Sequence, residues 1–324
     1  MSKRSRLIQR LLVFVSIPPL LAAIASFFGR YFFLSELLVN FQIQLAVILA
    51  VFAVLMSMLR WHRWSIVLFL AAVGVGMIPM LTLQPVANPY PLPANATKIR
   101  LMSFNVLALN RTPEKAIKCI QEYDPDIVLV IEFADLWGEW AKPLHESYPY
   151  RVEELRWHGF GIAVFSKFEL SNTVVTQTVA EATDVPLIST DVTISEKETF
   201  SLFATHLLAP MDPVRMSLRN RQMVDIAGMI GDTKGKPTIL AGDFNCVPWS
   251  WHLRQLLNKT QLRDSRPGRG YHASWPTNMI PMRIPIDHAF LSDRIFLTKR
   301  ELLGQTGSDH FPLLIEFFIS ESIE

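Results

Sequence analysis

Apolar residues fall into two kinds of run along this chain. In the first 97 residues they form three long stretches, at about 11–28, 43–59 and 65–83. Each approaches the roughly 20 residues that cross a hydrocarbon core about 30 Å thick. None carries the polar face that a surface helix shows. They predict three transmembrane helices within residues 1–83. Pro18 and Pro19 interrupt the first stretch, so a kink is expected there. A basic start and an apolar core also describe a signal peptide, but two more apolar stretches follow at once. No small-residue cleavage site stands out.

A Pro-rich linker at 84–97 follows, semi-extended by composition. Beyond it the apolar runs are short and alternate with helical periodicity. Strands are expected at 99–106, 126–131, 161–165, 200–204, 238–241, 286–291 and 311–319, and helices at 113–123, 215–230 and 249–257. Thr112 is the expected N-cap of the first of these helices, with Pro113 in its first turn and Ala116, Ile117 and Ile120 on one face. Asp124-Pro125 ends it. Interleaved strands and helices argue for an α/β domain of sheets covered by helices. Residues 98–324 are long enough for one such domain.

Charge separates the two parts further. The 324 residues carry a formal net charge of +2 and are half apolar, with a mean hydropathy of +0.25. Residues 1–97 hold a single acidic residue, Glu36, and seven of the 31 Lys and Arg, which leaves residues 98–324 near −4. A domain built to grip long nucleic acid normally shows a basic footprint. Here only two arginine clusters exist, Arg215/Arg219/Arg221 and Arg263/Arg266/Arg269, which could line a groove. Lys3, Arg4, Arg6 and Arg10 precede the first span, and Arg60 and Arg63 lie between the second and third. The positive-inside rule then puts the N-terminus and that loop inside and everything after about residue 83 outside. The two cysteines, Cys119 and Cys246, are expected to be free thiols, since one falls in a predicted helix and the other directly follows a turn.

The chemistry sits at the ends of the short runs. Glu132 follows Ile127–Ile131, a poor place for a core residue and a good one for a sheet rim. It reads either as a strand-end charge turned to water or as a Mg²⁺ ligand, since this ion prefers carboxylate oxygens. Gly242-Asp243-Phe244-Asn245 follows another apolar run; Gly242 permits a sharp turn, and Asp243 and Asn245 can point the same way. His206 and His310 also stand at strand ends, and Asp287 and Asp309 give them carboxylate company suited to proton transfer. Asp287 is placed to orient His310. His288 alternates with Ile286 and Phe290 and reads as strand packing. The stretch 268–285 carries Tyr271, Trp275, Met279 and Met282, either as packing anchors or as an apolar lip toward substrate or bilayer.

Ser103-Phe104-Asn105, Glu132, Thr205-His206-Leu207, Gly242-Asp243-Phe244-Asn245, Ile286-Asp287-His288 and Ser308-Asp309-His310 occur in that order. This ordered set resembles the endonuclease/exonuclease/phosphatase superfamily with the DNase-I-like fold, over about residues 98–320. Within it the chain is similar to membrane-tethered bacterial members. The resemblance implies a four-layer α/β sandwich and Mg²⁺- or Mn²⁺-dependent hydrolysis of a phosphoester. It implies Asn105, Glu132 and Asp309 at the metal. Asp243 would act on the attacking water, Asn245 on a phosphate oxygen, and His310 with Asp287 as acid/base. His206 would be a second imidazole facing the phosphate. The family's active-site tyrosine or arginine between Glu132 and His206 has no clear counterpart. Arg156, Trp157 and His158 are the candidates, and Arg156 and Trp275 are the expected substrate contacts. The expected setting is a bacterial inner membrane, multi-pass, with the catalytic domain on the periplasmic or extracellular side. The expected partners are the bilayer and a lipid, small-molecule or nucleic-acid phosphoester, with no obligate protein partner evident. A rival reading keeps the fold and drops the chemistry, leaving a tethered binding or signalling module.

Overall fold

The computed structural model describes residues 3–85, 97–157, 159–196, 198–233 and 235–320. Most of the expected linker, and His158, lie outside them. The chain divides into two compact units: residues 1–84 with 247–253, and residues 85–246 with 254–324.

The first unit is helical. Its helices are α1 (Lys3–Ser26), α2 (Phe33–Val39), α3 (Gln42–Met58) and α4 (His62–Leu81). The first stretch forms one continuous helix through Pro18 and Pro19. Among the described residues, two helices are long and apolar enough to cross a membrane, Leu7–Ser26 and His62–Leu81. α3 joins them only if α2 and α3, bent by 75°, count as one span. The expected count of three therefore stands at two or three. The interface is built from Ala23, Leu49, Ala53, Met56, Leu68, Ala72 and Val75. Small residues let the helices approach closely: a Cβ at Gly76 would lie 3.1 Å from that of Ala46. Polar groups inside pair with one another, as where Gln42 Nε2 donates to Ser26 Oγ at 3.0 Å and Trp64 Nε1 to Ser16 Oγ at 3.0 Å. Residues 247–253 are part of this unit. Val247 N donates to Asn40 Oδ1 at 3.3 Å, and Trp249 Nε1 to Val39 O at 2.9 Å.

The second unit begins with β1 (Ile99–Asn105), α5 (Pro113–Tyr123), β2 (Ile127–Ile131), α6 (Asp135–Trp140), β3 (Tyr150–Glu154), β4 (Ile162–Ser166), β5 (Glu169–Gln177), β6 (Pro186–Ser195) and β7 (Glu198–His206). It continues with α7 (Pro213–Gly231), β8 (Thr238–Asp243), α8 (Trp251–Thr260, whose first turn belongs to the helical unit), β9 (Arg263–Asp264), β10 (Asp287–Leu291), β11 (Ile295–Leu302) and β12 (Leu313–Ile319). Two mixed six-stranded sheets result, in the orders β11-β12-β1-β2-β4-β3 and β5-β6-β7-β8-β10-β9. Alternate residues of the first sheet pack inward against the second: Leu101, Leu129 and Ile315 share a core with Phe200, Leu202 and Ile239. The other face, with Met102, Phe104, Val128 and Val130, takes Ile117 and Ile120 of α5 and Trp137 of α6. This is the two-sided burial that makes the parallel strands near-continuous apolar runs.

Some local expectations change. Thr112 occupies the N-cap of α5 but makes no capping hydrogen bond; its hydroxyl faces Asn110 Oδ1 at 3.3 Å instead. α7 begins at Pro213, capped by Asp212, whose side chain accepts from Arg215 N at 2.8 Å. β3, β5, β6, β9, β11 and α6 lie where no element was expected. Of the two arginine clusters, Arg263 and Arg269 line a cavity of about 370 Å³, but one member of each cluster is withdrawn from any surface. Arg219 and Arg266 are fully buried, Arg266 on Asp264 at 2.6 Å and Arg219 on Asn245 O at 3.1 Å. Arg221 pairs with Glu181 and Arg263 with Asp293. Both cysteines are buried free thiols.

Candidate active site

Strand direction explains why six distant motifs meet. β1 and β2 are parallel, as are β7 and β8, so each pair exits at its C-terminal end. β12 is antiparallel to β1 and β10 to β8, so these strands enter at that same end. Asn105 ends β1, and Glu132 follows β2. His206 and Asp243 end β7 and β8 in register. Asp287 opens β10 opposite Asp243. Ser308, Asp309 and His310 lead into β12.

The turns are locally costly. Glu132 and Asn245 adopt φ of 63° and 50°, left-handed values that non-glycine residues seldom hold without surrounding support. Gly242 has φ 147°, and a Cβ there would lie 1.8 Å from Thr205 O on the neighbouring strand. No side chain fits.

Hydrogen bonds join the pieces. Asn105 Nδ2 donates to Glu132 Oε1 at 3.0 Å and to Asp243 Oδ2 at 3.1 Å, while its Oδ1 accepts from Leu107 N at 3.1 Å. Glu132 Oε2 accepts from Ala108 N at 2.9 Å. Asn245 N donates to Asp243 Oδ1 at 2.8 Å, and Asn245 Nδ2 to Leu207 O at 2.8 Å. His310 Nδ1 meets Asp287 Oδ2 at 2.8 Å. The remaining nitrogen of His310 and Nε2 of His206 face one oxygen, Asp243 Oδ2, at 3.7 and 3.8 Å. Trp275 Nε1 donates to Asp309 Oδ2 at 2.9 Å, and its ring lies 6.4 Å from that of His310.

Burial and charge set the protonation states. Burial and the Asp287 carboxylate push Asp243 up to about 7. Burial works against the charge on His310, but Asp287 and Asp243 outweigh it and push the imidazole up to about 10. Burial likewise opposes the Asp287 charge, yet His310 beside it holds the carboxyl below its usual range. Burial pulls His206 down, with Glu132 opposing. At neutral pH the site therefore holds an imidazolium–carboxylate pair, a neutral imidazole and a carboxyl poised near its midpoint.

Oxygen donors suited to a hard divalent ion are present in Glu132, Asp309 and the Asn105 amide. Asp309 Oδ1 is buried without a hydrogen-bond partner among the described residues, and an unpaired carboxylate oxygen fits a metal ligand. A second grouping exists: ligand atoms of Asp243, Asp287 and His310 lie within 4.8 Å of one another. There Asp287 and His310 already satisfy each other, and a cation would oppose the imidazolium. Asn105 now turns its nitrogen to the carboxylates, so an oxygen contact to an ion requires its amide to flip.

Arg156 is not brought in. Its guanidinium is taken by Glu154 at 3.0 Å and Asp184 at 3.3 Å. Phe160 takes the place beside His206, with ring centroids 5.6 Å apart. His288 packs against Phe244 and Phe290 and bonds Cys246 O at 2.9 Å. Three supporting residues had no assigned role in the sequence reading. Ser274 Oγ accepts from Ile286 N and Asp287 N at 3.3 and 3.2 Å, and Ser308 Oγ donates to Asn105 O at 2.7 Å. Arg300 Nη2 donates to Asp287 O at 3.2 Å. Only Ser308 carried a signal, its place in the last motif.

Residues 102–310 match the model of the Endonuclease/Exonuclease/phosphatase family. Solved structures share the fold. D. rerio TDP2 complexed with single strand DNA product aligns at TM-score 0.59 and 18% identity, covering 68% of this chain and 99% of that one. The human Nocturnin catalytic domain with bound sulfate aligns at 0.58 and 20%, covering 70% and 97%. An endonuclease/exonuclease/phosphatase from Beutenbergia cavernae aligns at 0.57 and 17%, covering 70% and 72%. No curated protein matches.

Proposed function

The chain belongs to the endonuclease/exonuclease/phosphatase family, and from that premise we propose that it is a membrane-anchored phosphodiesterase dependent on Mg²⁺ or Mn²⁺. One observation carries the chemistry: Asp243 stands between two imidazoles, one of them bonded through its other nitrogen to Asp287. A base whose pKa lies near the working pH is well matched to proton transfer. Asp243 takes the proton of the attacking water. His310, oriented by Asp287, offsets charge growing on the phosphoryl oxygens and gives a proton to the leaving oxygen. Asn245 spends one amide hydrogen on Leu207 O and keeps the other for a phosphate oxygen. His206 faces the same space as a neutral imidazole. Trp275 positions Asp309 and borders the substrate. Glu132, Asp309 and Asn105 are the residues that would hold the divalent ion, which supplies charge stabilisation when bound.

Membrane anchorage rests on the apolar helices, and the catalytic side on two further observations. Gln9 Nε2 donates to Leu59 O at 2.7 Å, which joins the basic start of α1 to the Arg60–Arg63 loop. With the Lys and Arg of that start and loop on the inner side, three spans leave residues 98–324 outside. An acidic domain and buried arginines favour a lipid head group or small phosphoester over long nucleic acid. The test is the full chain in detergent, assayed with Mg²⁺ or Mn²⁺ against bis-p-nitrophenyl phosphate, a phospholipid, sphingomyelin and DNA. Hydrolysis that EDTA abolishes is expected; hydrolysis of none of the four under either metal overturns the reading.

A further inference from the structure

The loop between α3 and α4 holds a cavity that the phosphodiesterase reading does not use. It is lined by Arg60, Trp61, His62, Arg63, Trp64 and Val67 and has a volume of about 660 Å³. That is room for a head group. Its charge has one sign. Arg60 and Arg63 are exposed, and among the described residues neither makes an ion pair with a carboxylate. The one carboxylate in residues 1–97, Glu36, is buried and faces His252 at 3.8 Å. Two guanidiniums without a counterion call for an anion.

The walls are ordered. Arg60 turns the chain with φ 62°, and Trp61 N donates back to Met56 O at 2.9 Å. Trp64 is pinned to α1 through Ser16. Two half-buried indoles beside two arginines make an amphipathic rim of the sort that sits at the level of lipid head groups. From the cavity an apolar flank runs up α4 through Val67, Leu70 and Val73, all exposed. An acyl chain can lie there.

We propose that this cavity binds an anionic glycerophospholipid, with Arg60 and Arg63 taking the phosphate and the Val67–Leu70 flank taking a chain. The inference rests on the membrane-spanning reading of these helices. A Lys or Arg beside a span gains about 1 kcal/mol at an anionic leaflet; a free phosphate would use the arginines but leave the flank idle.

The experiment uses the full chain. Flotation with pure phosphatidylcholine vesicles tests the membrane reading by itself. The chain is then placed in nanodiscs of equimolar phosphatidylcholine and phosphatidylglycerol, and lipid retained on the released protein is measured by native mass spectrometry. Retained phosphatidylglycerol is expected in roughly thirtyfold excess, the scale that two arginines at about 1 kcal/mol each supply at a membrane surface. Arg60→Gln with Arg63→Gln should abolish the excess, while flotation and phosphoesterase turnover stay unchanged. Equal retention of both lipids, or an excess that survives the double substitution, overturns the proposal with the membrane reading intact. Loss of the excess on adding millimolar glycerol phosphate would show a free-phosphate site and overturn it too. A chain that does not float removes both.

Discussion

Phe14, Leu34 and Met58 of the helical unit are 73%, 70% and 75% exposed, whereas Phe104, Phe165 and Phe290 of the sheet unit are fully buried. The polar residues invert as well. Gln9, Ser16, Ser26 and Gln42 are buried among the helices, where they bond to one another or to backbone. The sheet unit buries neutral polar groups too, but it adds several charged ones, at the strand ends and at Arg266 and Arg300, where the helical unit adds only Glu36 among the described residues. One transfer free energy accounts for both patterns if the two units face different solvents. Lipid accepts apolar surface and gives polar groups no partner, so neutral amides and hydroxyls pair inside. Water does the reverse. In the sheet unit a counter-charge or a reaction accompanies the buried charges of Arg266, Asp243, Asp287 and His310.

The sharpest way to break that account is to remove a charge that the sheet unit buries for chemistry. His310→Ala should lower kcat by about 10²–10⁴, the span of a lost general acid, with far-ultraviolet circular dichroism unchanged. A fall of less than tenfold would take His310 out of the reaction. Next is a charge buried without a reaction. Burial opposes ionisation of Asp264, but Arg266 beside it holds the carboxyl below its usual range. Asp264→Asn leaves Arg266 unpaired and should cost about 3–5 kcal/mol, read as a lower midpoint in urea. The sign with pH follows from the depressed folded pKa. The contribution is present above the unfolded value and is lost as pH falls through the folded one, so the variant should lack that acid limb.

A pair of substitutions then compares the two solvents directly. Leu70→Asp on α4 should cost about 2.5–3.5 kcal/mol for a carboxylate in hydrocarbon and should reduce membrane insertion. Val174→Asp on β5, 53% exposed, should change stability by less than about 0.5 kcal/mol. Equal effects at the two sites would mean that both face water. Smallest is Trp249→Phe, which removes the indole bond to Val39 O and should cost about 0.5–1.5 kcal/mol in thermal melting of the full chain.

The strands that carry the site were readable because burial on both faces makes them unbroken apolar runs, as in Ile127–Ile131 and, within β8, Ile239–Ala241. β5 escaped because much of it is open to solvent. Its residues, Glu-Leu-Ser-Asn-Thr-Val-Val-Thr-Gln, show no clean alternation. β11 escaped likewise, and with it Arg300. A lone arginine in a mixed run gives no sign that its guanidinium reaches Asp287 O. The reverse error fell on Arg219 and Arg266. Clustered arginines suggest an anion groove, and only packing shows that these two are consumed by Asn245 O and Asp264.

By itself the sequence determined that one part of the chain is greasy enough for lipid and that another carries carboxylates, amides and imidazoles at strand ends. Both follow from local chemistry, since hydropathy and the end of an apolar run are properties of neighbouring residues. Tertiary structure alone decided which of those ends meet, because parallel and antiparallel pairing sets whether a strand enters or leaves at a given edge. It also decided protonation: Asp243 is poised near neutrality only because burial and Asp287 act on it together, and Asp287 lies 44 positions away along the chain.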